Sequence, residues 1–169
     1  MRLSDEPGVV VEVTIPAPPH RVWELVTDIS TSPRFSPELQ RTEWLQGADR
    51  PAVGAHFAGH NARPDGYRWQ TVNRITEFTP NRRFAWSVLP DVATVQGDEF
   101  ACWHYELTPD GAGTRLRHGM RIGNLRTPVH ALVEAHPEQE EAILDTRLAS
   151  LRNGIEAVLR GIAADATRA

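Results

Sequence analysis

The sequence predicts an α+β domain: a curved antiparallel sheet of about seven strands wrapped around one long C-terminal helix, with two short helices after the first strand. Three observations carry this. Seven segments between Val9 and Ile122 are extended in pattern, rich in β-branched or aromatic residues. Gly-, Pro-, Asn- or Asp-containing turn signals separate most of the later ones, so sequence neighbours are mainly antiparallel partners. The last third then changes its apolar period from two to 3.6 residues.

Val9 to Ile15 places Val9, Val11, Val13 and Ile15 on one strand face, and Pro16 ends it. Pro19 suits a first helical turn. Val22, Leu25, Val26 and Ile29 then follow at amphipathic spacing, predicting a helix over 19–29. Ser32-Pro33 reads as the cap and first turn of a second, shorter helix, which Ser36-Pro37 stops. Strands follow over 39–46, 54–62, 67–78, 83–89, 100–108 and 114–122, with turns at Gly47-Ala48-Asp49, Pro64-Asp65-Gly66, Thr79-Pro80-Asn81 and Pro109-Asp110-Gly111. Residues 90–99 have no pattern, and a loop of that length is often functional. Pro137 opens a helix to about Ala164, roughly 42 Å long at 1.5 Å per residue. Its stripe runs Leu144, Leu148, Leu151, Ile155, Val158, Leu159 and Ile162. A sheet with one apolar face and a helix with one apolar stripe bury each other best when the helix lies across the concave face. Residues 1–169 read as one domain, with 1–8 and 165–169 as frayed ends.

Composition excludes several chemistries. All 18 basic residues of the 169 are Arg, so lysine Schiff bases and Walker-type phosphate loops are out. A single cysteine, Cys102, allows no internal disulfide and no Cys-rich metal site. Mild acidity, a net charge of -4, argues against nucleic-acid binding. No apolar h-region follows Met1, and no stretch is long enough to span a bilayer, so a cytoplasmic location without membrane partners is expected.

Several segments carry a family resemblance. "VTIPAPPHRVWELVTDIS", "VGAHFAGHNARPDGYRWQT", "TEFTPNRRFAWSV", "WHYELTPDGAGTRLRH" and "LRNGIEAVL" resemble the helix-grip fold of the START and birch-pollen-allergen superfamily (SRPBCC), in its polyketide cyclase/dehydrase branch. The resemblance covers about residues 9–164. It implies a deep cavity between sheet and long helix that takes a small apolar or aromatic ligand. It brings no universal catalytic motif, so the site is argued from strand faces.

Alternation points Trp103, Tyr105 and Leu107 inward. Arg115, Arg117 and Arg121 face solvent, which turns His118 and Met120 inward. Phe57, Gly59 and Asn61 share a face, as do Trp69 and Thr71, and Phe84 and Trp86. A one-residue bulge would invert any of these. The expected ligand-binding set is Phe57, Trp69, Thr71, Trp86, Trp103, Met120, Leu148 and Leu151, aromatic walls with few polar tips. His118 is the expected general acid/base, with Tyr105 and Asn61 polarising oxygen atoms. A buried Tyr105 needs a hydroxyl partner: the ligand, Asn61 or His118. The loop 90–99 and the stretch 123–128 are expected to border the cavity mouth, where Arg126 either receives an acidic ligand group or stands as an exposed Arg.

Metal constellations fail on spacing. His56 and His60 lie about 13 Å apart along a strand. His130 and His136, six residues apart, do not share a helix face. No metal and no cofactor is expected. The expected function is a small-molecule enzyme of cyclase/dehydratase type. The runner-up is a non-catalytic carrier or sensor of a lipid, pigment or aromatic metabolite. A protein–protein module ranks last. Whether two chains pair as a homodimer stays open.

Overall fold

The computed structural model describes residues 1–168. Its strands are β1 Gly8–Ile15, β2 Leu39–Leu45, β3 His56–Ala62, β4 Arg68–Thr79, β5 Arg83–Leu89, β6 Ala101–Asp110 and β7 Gly113–Ile122. They form one sheet in the order β1-β7-β6-β5-β4-β3-β2, antiparallel throughout. The helices are α1 Pro19–Thr27, α2 Pro128–Ala135 and α3 Glu140–Ala166. The expected second short helix is one 3-10 turn, Ser32–Arg34.

The C-terminal region differs more. One helix from Pro137 is expected, yet two form. Pro137 disfavours α conformation at the residue before it. His136 accordingly sits at φ -136°, ψ 64°, which ends α2. A 3-10 turn over Pro137–Gln139 then leads into α3. The missed start of α2 has a legible signal, Thr127 followed by Pro128 at the first helical position.

One face of the sheet and the stripe of α3 form the core. Ile15, Phe84, Tyr105, Leu116, Leu144, Ile155, Leu159 and Ile162 are all buried in it. A bulge between Ile75 and Glu77 resets the alternation of β4, so Trp69, Thr71, Asn73, Ile75 and then Phe78 share the concave face. The convex face carries a cross-strand charge ladder, Glu12 to Arg115 and Arg117, Glu106 to Arg117 and Arg83, and Arg83 to Glu77.

The ends expected to fray are partly tied down. The Leu3 amide donates to Glu140. Asp165, buried at 7% exposure, pairs with Arg34 and Arg168. Ala169 lies outside the described residues.

Candidate functional site

The centre of the concave face is an aromatic floor. Trp86 on β5 pairs with Trp103 on β6, and Trp103 with Met120 on β7. The two indoles lie 6.3 Å apart between ring centroids and within 5° of parallel. Phe84 and Phe57 flank Trp86 at 5.2 and 6.3 Å, and Trp44 meets Phe57 edge-on at 6.0 Å. Phe84 is sealed in the core, whereas Trp86 and Trp103 are only half-buried at the middle of the sheet. Surface is therefore open on the floor itself. Leu151 of α3 is buried and Leu148 half-buried against the same core. None of the concave-facing positions of β3 to β7 carries Arg, Asp or Glu.

One rung from Trp103, Tyr105 stands opposite His118. Their rings stack at 3.8 Å, 8° from parallel. His118 is 4% exposed and Tyr105 1%. The His118 Nδ1–H donates to the His104 carbonyl at 2.9 Å. That fixes the neutral tautomer with its lone pair on Nε2, which has no hydrogen-bond partner among the described residues. Burial drives the imidazole pKa down to about 3, against the smaller upward pull of the His104 carbonyl. Burial likewise pushes the Tyr105 phenol up to about 12, so it stays a proton-bearing donor. Its hydroxyl partner is Ser32 Oγ at 3.1 Å. Neither Asn61 nor His118 fills that role, and Ser32 is a site residue that strand alternation had no means to find.

Asn61 is the main correction. Asn61 pairs with Trp69, while His118 and Tyr105 pair through Phe84 to Phe78. From Trp69 to Phe78 is eight residue steps once the bulge is discounted, about 26 Å along the strands. Asn61 and Trp69 share the concave face with the His118–Tyr105 pair but lie at its far end. They cannot polarise an oxygen there. Thr71 sits between, accepting from Asn73 Nδ2 at 3.2 Å. Asn73 itself, buried mid-sheet, is a polar concave residue that the β4 reading passed over.

The polar contacts that anchor the loop 90–99 go to the convex side of the sheet. Thr94 accepts from Arg74, while Glu99 bonds Ser87 and pairs with Arg121, all convex-facing side chains. The Glu99 amide donates to Asn124, and Asp98 accepts from Asn124. Cys102 lies beside this cluster. Burial, then the Glu99 charge, push its thiol pKa up, away from thiolate reactivity. Arg126 is committed to Glu134 at 2.7 Å. Among the described residues no three His, Cys, Asp or Glu side chains converge to hold a metal ion. Among the described residues no helix is long and apolar enough to cross a membrane.

A family model described as "Polyketide cyclase / dehydrase and lipid transport" matches residues 7–156. The chain belongs to that family. Among solved structures, this family member is similar to the Polyketide_cyc-like protein Cgl2372 from Corynebacterium glutamicum. The two are 28% identical, covering 91% of this chain and 88% of that one, with a TM-score of 0.60. It is also similar to the di-domain ARO/CYC StfQ from the steffimycin biosynthetic pathway, 15% identical with a TM-score of 0.69. That match covers 94% of this chain but 50% of StfQ. Ara h 8.0201 is 13% identical, with coverages of 95% and 97% and a TM-score of 0.59. The last two likenesses show the fold alone, which is the helix-grip fold. No curated protein matches the chain in sequence.

Proposed function

We propose that this polyketide cyclase/dehydrase family member is a cyclase/dehydratase-type enzyme acting on an uncharged, planar aromatic or poly-carbonyl molecule held on the Phe57–Trp86–Trp103 floor. The observation that carries this is the half-buried, parallel Trp86–Trp103 pair one rung from an imidazole with an unused lone pair. An uncharged aromatic floor favours flat apolar ligands by burial and stacking. Met120, Leu148 and Leu151 complete the apolar walls.

The chemistry this supports is proton transfer. His118 Nε2 takes a proton from the carbon next to a substrate carbonyl. The Tyr105 hydroxyl, turned from Ser32 to the substrate, donates a hydrogen bond to that carbonyl oxygen. In a dehydration the same proton returns from His118 to the departing hydroxyl, which leaves as water. The imidazolium forms beside the enolate, so the two charges arise as a pair in a dry site.

Two variants test this. Trp86→Ala is expected to weaken binding of an aromatic probe such as an anthraquinone roughly tenfold, followed by quenching of intrinsic fluorescence. His118→Ala is expected to lower turnover by about 10²–10⁴ while probe affinity holds within a few-fold. Binding lost at Trp86 with no activity to lose at His118 points instead to carriage, consistent with the transport clause in the family description.

A further inference from the structure

We propose that Asn73 is the polar anchor at the opposite end of the floor from His118 and Tyr105, accepting a hydrogen bond from a ligand hydroxyl and so fixing which way round a planar ligand lies. This rests on the reading of the floor as the ligand site.

Asn73 is 4% exposed on β4, an interior strand of the sheet. Its amide nitrogen uses both hydrogens, one on the Phe57 carbonyl at 3.1 Å and one on Thr71 Oγ1 at 3.2 Å. Those two bonds fix the orientation of the amide plane. They leave Oδ1 as an acceptor with no partner among the described residues. The oxygen is not sealed in. The fully enclosed unpartnered side-chain atom among the described residues is His56 Nε2. A buried acceptor without a donor is costly unless something supplies one.

Its neighbours say what supplies it. Asn73 pairs with Phe57 and Val88, one rung from Ile75 and Trp86. Beside it Gly59 has no side chain; a Cβ there would meet Thr71 Oγ1 at 2.7 Å and Asn73 Nδ2 at 3.6 Å. From Val88, opposite Asn73, to Phe84, opposite Tyr105, is four residues. That is about 13 Å along the strands, with Trp86 and Trp103 between. The floor thus has an acceptor at one end and a hydroxyl donor with an imidazole at the other. The ligand that satisfies both is an elongated, fused-ring aromatic with a hydroxyl at one end and a carbonyl at the other. A carbonyl presented to Asn73 meets an acceptor, so the reversed pose is disfavoured.

The test is a cycle with a hydroxyanthraquinone and its methyl ether, using wild type and Asn73→Val, with affinities from fluorescence quenching. Wild type is expected to bind the hydroxyl form roughly five- to tenfold more tightly than the ether, and Asn73→Val to bind the two alike. If Asn73 only braces the sheet, the variant weakens both probes equally and the preference survives, which overturns the proposal. Equal binding of the two probes to wild type overturns it as well, leaving the floor itself intact as the ligand site. Failure of wild type to bind either probe removes the functional reading and this inference together. Asn73→Ala, smaller and likewise without a side-chain acceptor, replaces Asn73→Val if that variant does not fold, with the same loss of preference expected.

Discussion

His118 occupies a position where its proton is unwelcome. Its folded pKa is held near 3 by burial, against an ordinary value of 6.5. Between those values the unfolded chain binds a proton that the folded chain refuses, so stability rises with pH across that window. Acidification from about pH 6.5 therefore costs up to about 1.4 kcal/mol per pH unit, and above that range this group adds no pH dependence. Urea denaturation at a series of pH values checks it. His118→Phe, which keeps a ring on Tyr105, is expected to flatten the slope; an unchanged slope assigns the acid sensitivity elsewhere. His104, half-buried with its pKa lowered first by burial and then by Arg83, adds in the same direction. The inward direction of His118 was legible because three Arg residues on the other parity demand solvent. Its tautomer was not. The carbonyl that sets it belongs to a neighbouring strand, fourteen residues away in sequence.

At the scale of elements, the turn after α1 locks onto α3. Phe35 packs on Gly161, where a Cβ would overlap the phenyl ring. Arg34 reaches Asp165, and Ser32 reaches Tyr105. Gly161→Ala is expected to destabilise by about 1–3 kcal/mol despite alanine's better helix propensity, because overpacking exceeds that gain. A denaturation midpoint measures it, and a stabilised variant contradicts the packing. The loop between β5 and β6 yields a complementary prediction. Glu99→Ala is expected to cost about 1.5–3 kcal/mol by unpinning a buried charged contact, while leaving aromatic-probe affinity unchanged, since Glu99 bonds convex-facing groups. A large affinity loss with retained fold returns that loop to the concave mouth. Pattern alone did not show these anchors because an unpatterned segment carries no information about which face it crosses.

Across the whole molecule, strand number, strand polarity and the helix on the concave face were readable from the 169 residues, because alternation and period report directly on burial. The extent of each strand was nearly as clear. The relation between distant strands was not. Asn61 and His118 share a face in the sequence reading, and they do in the sheet. Their separation along it emerges only from the register of four strand pairings and one bulge, none of which is a local property. Asn73 was passed over for a related reason. Asparagine is rare in a buried interior strand, and its fit depends on the bare Gly59 opposite Thr71. The same central geometry has an optical consequence. Two near-parallel indoles at 6.3 Å share their electronic excitations, so the protein's far-ultraviolet absorption should carry an exciton splitting from the centre of the floor, with a matching circular-dichroism couplet where the two indole long axes are rotated within their parallel planes. Either Trp86→Phe or Trp103→Phe should abolish it. A molecule settling on that floor should change its amplitude, giving an unlabelled protein its own occupancy signal.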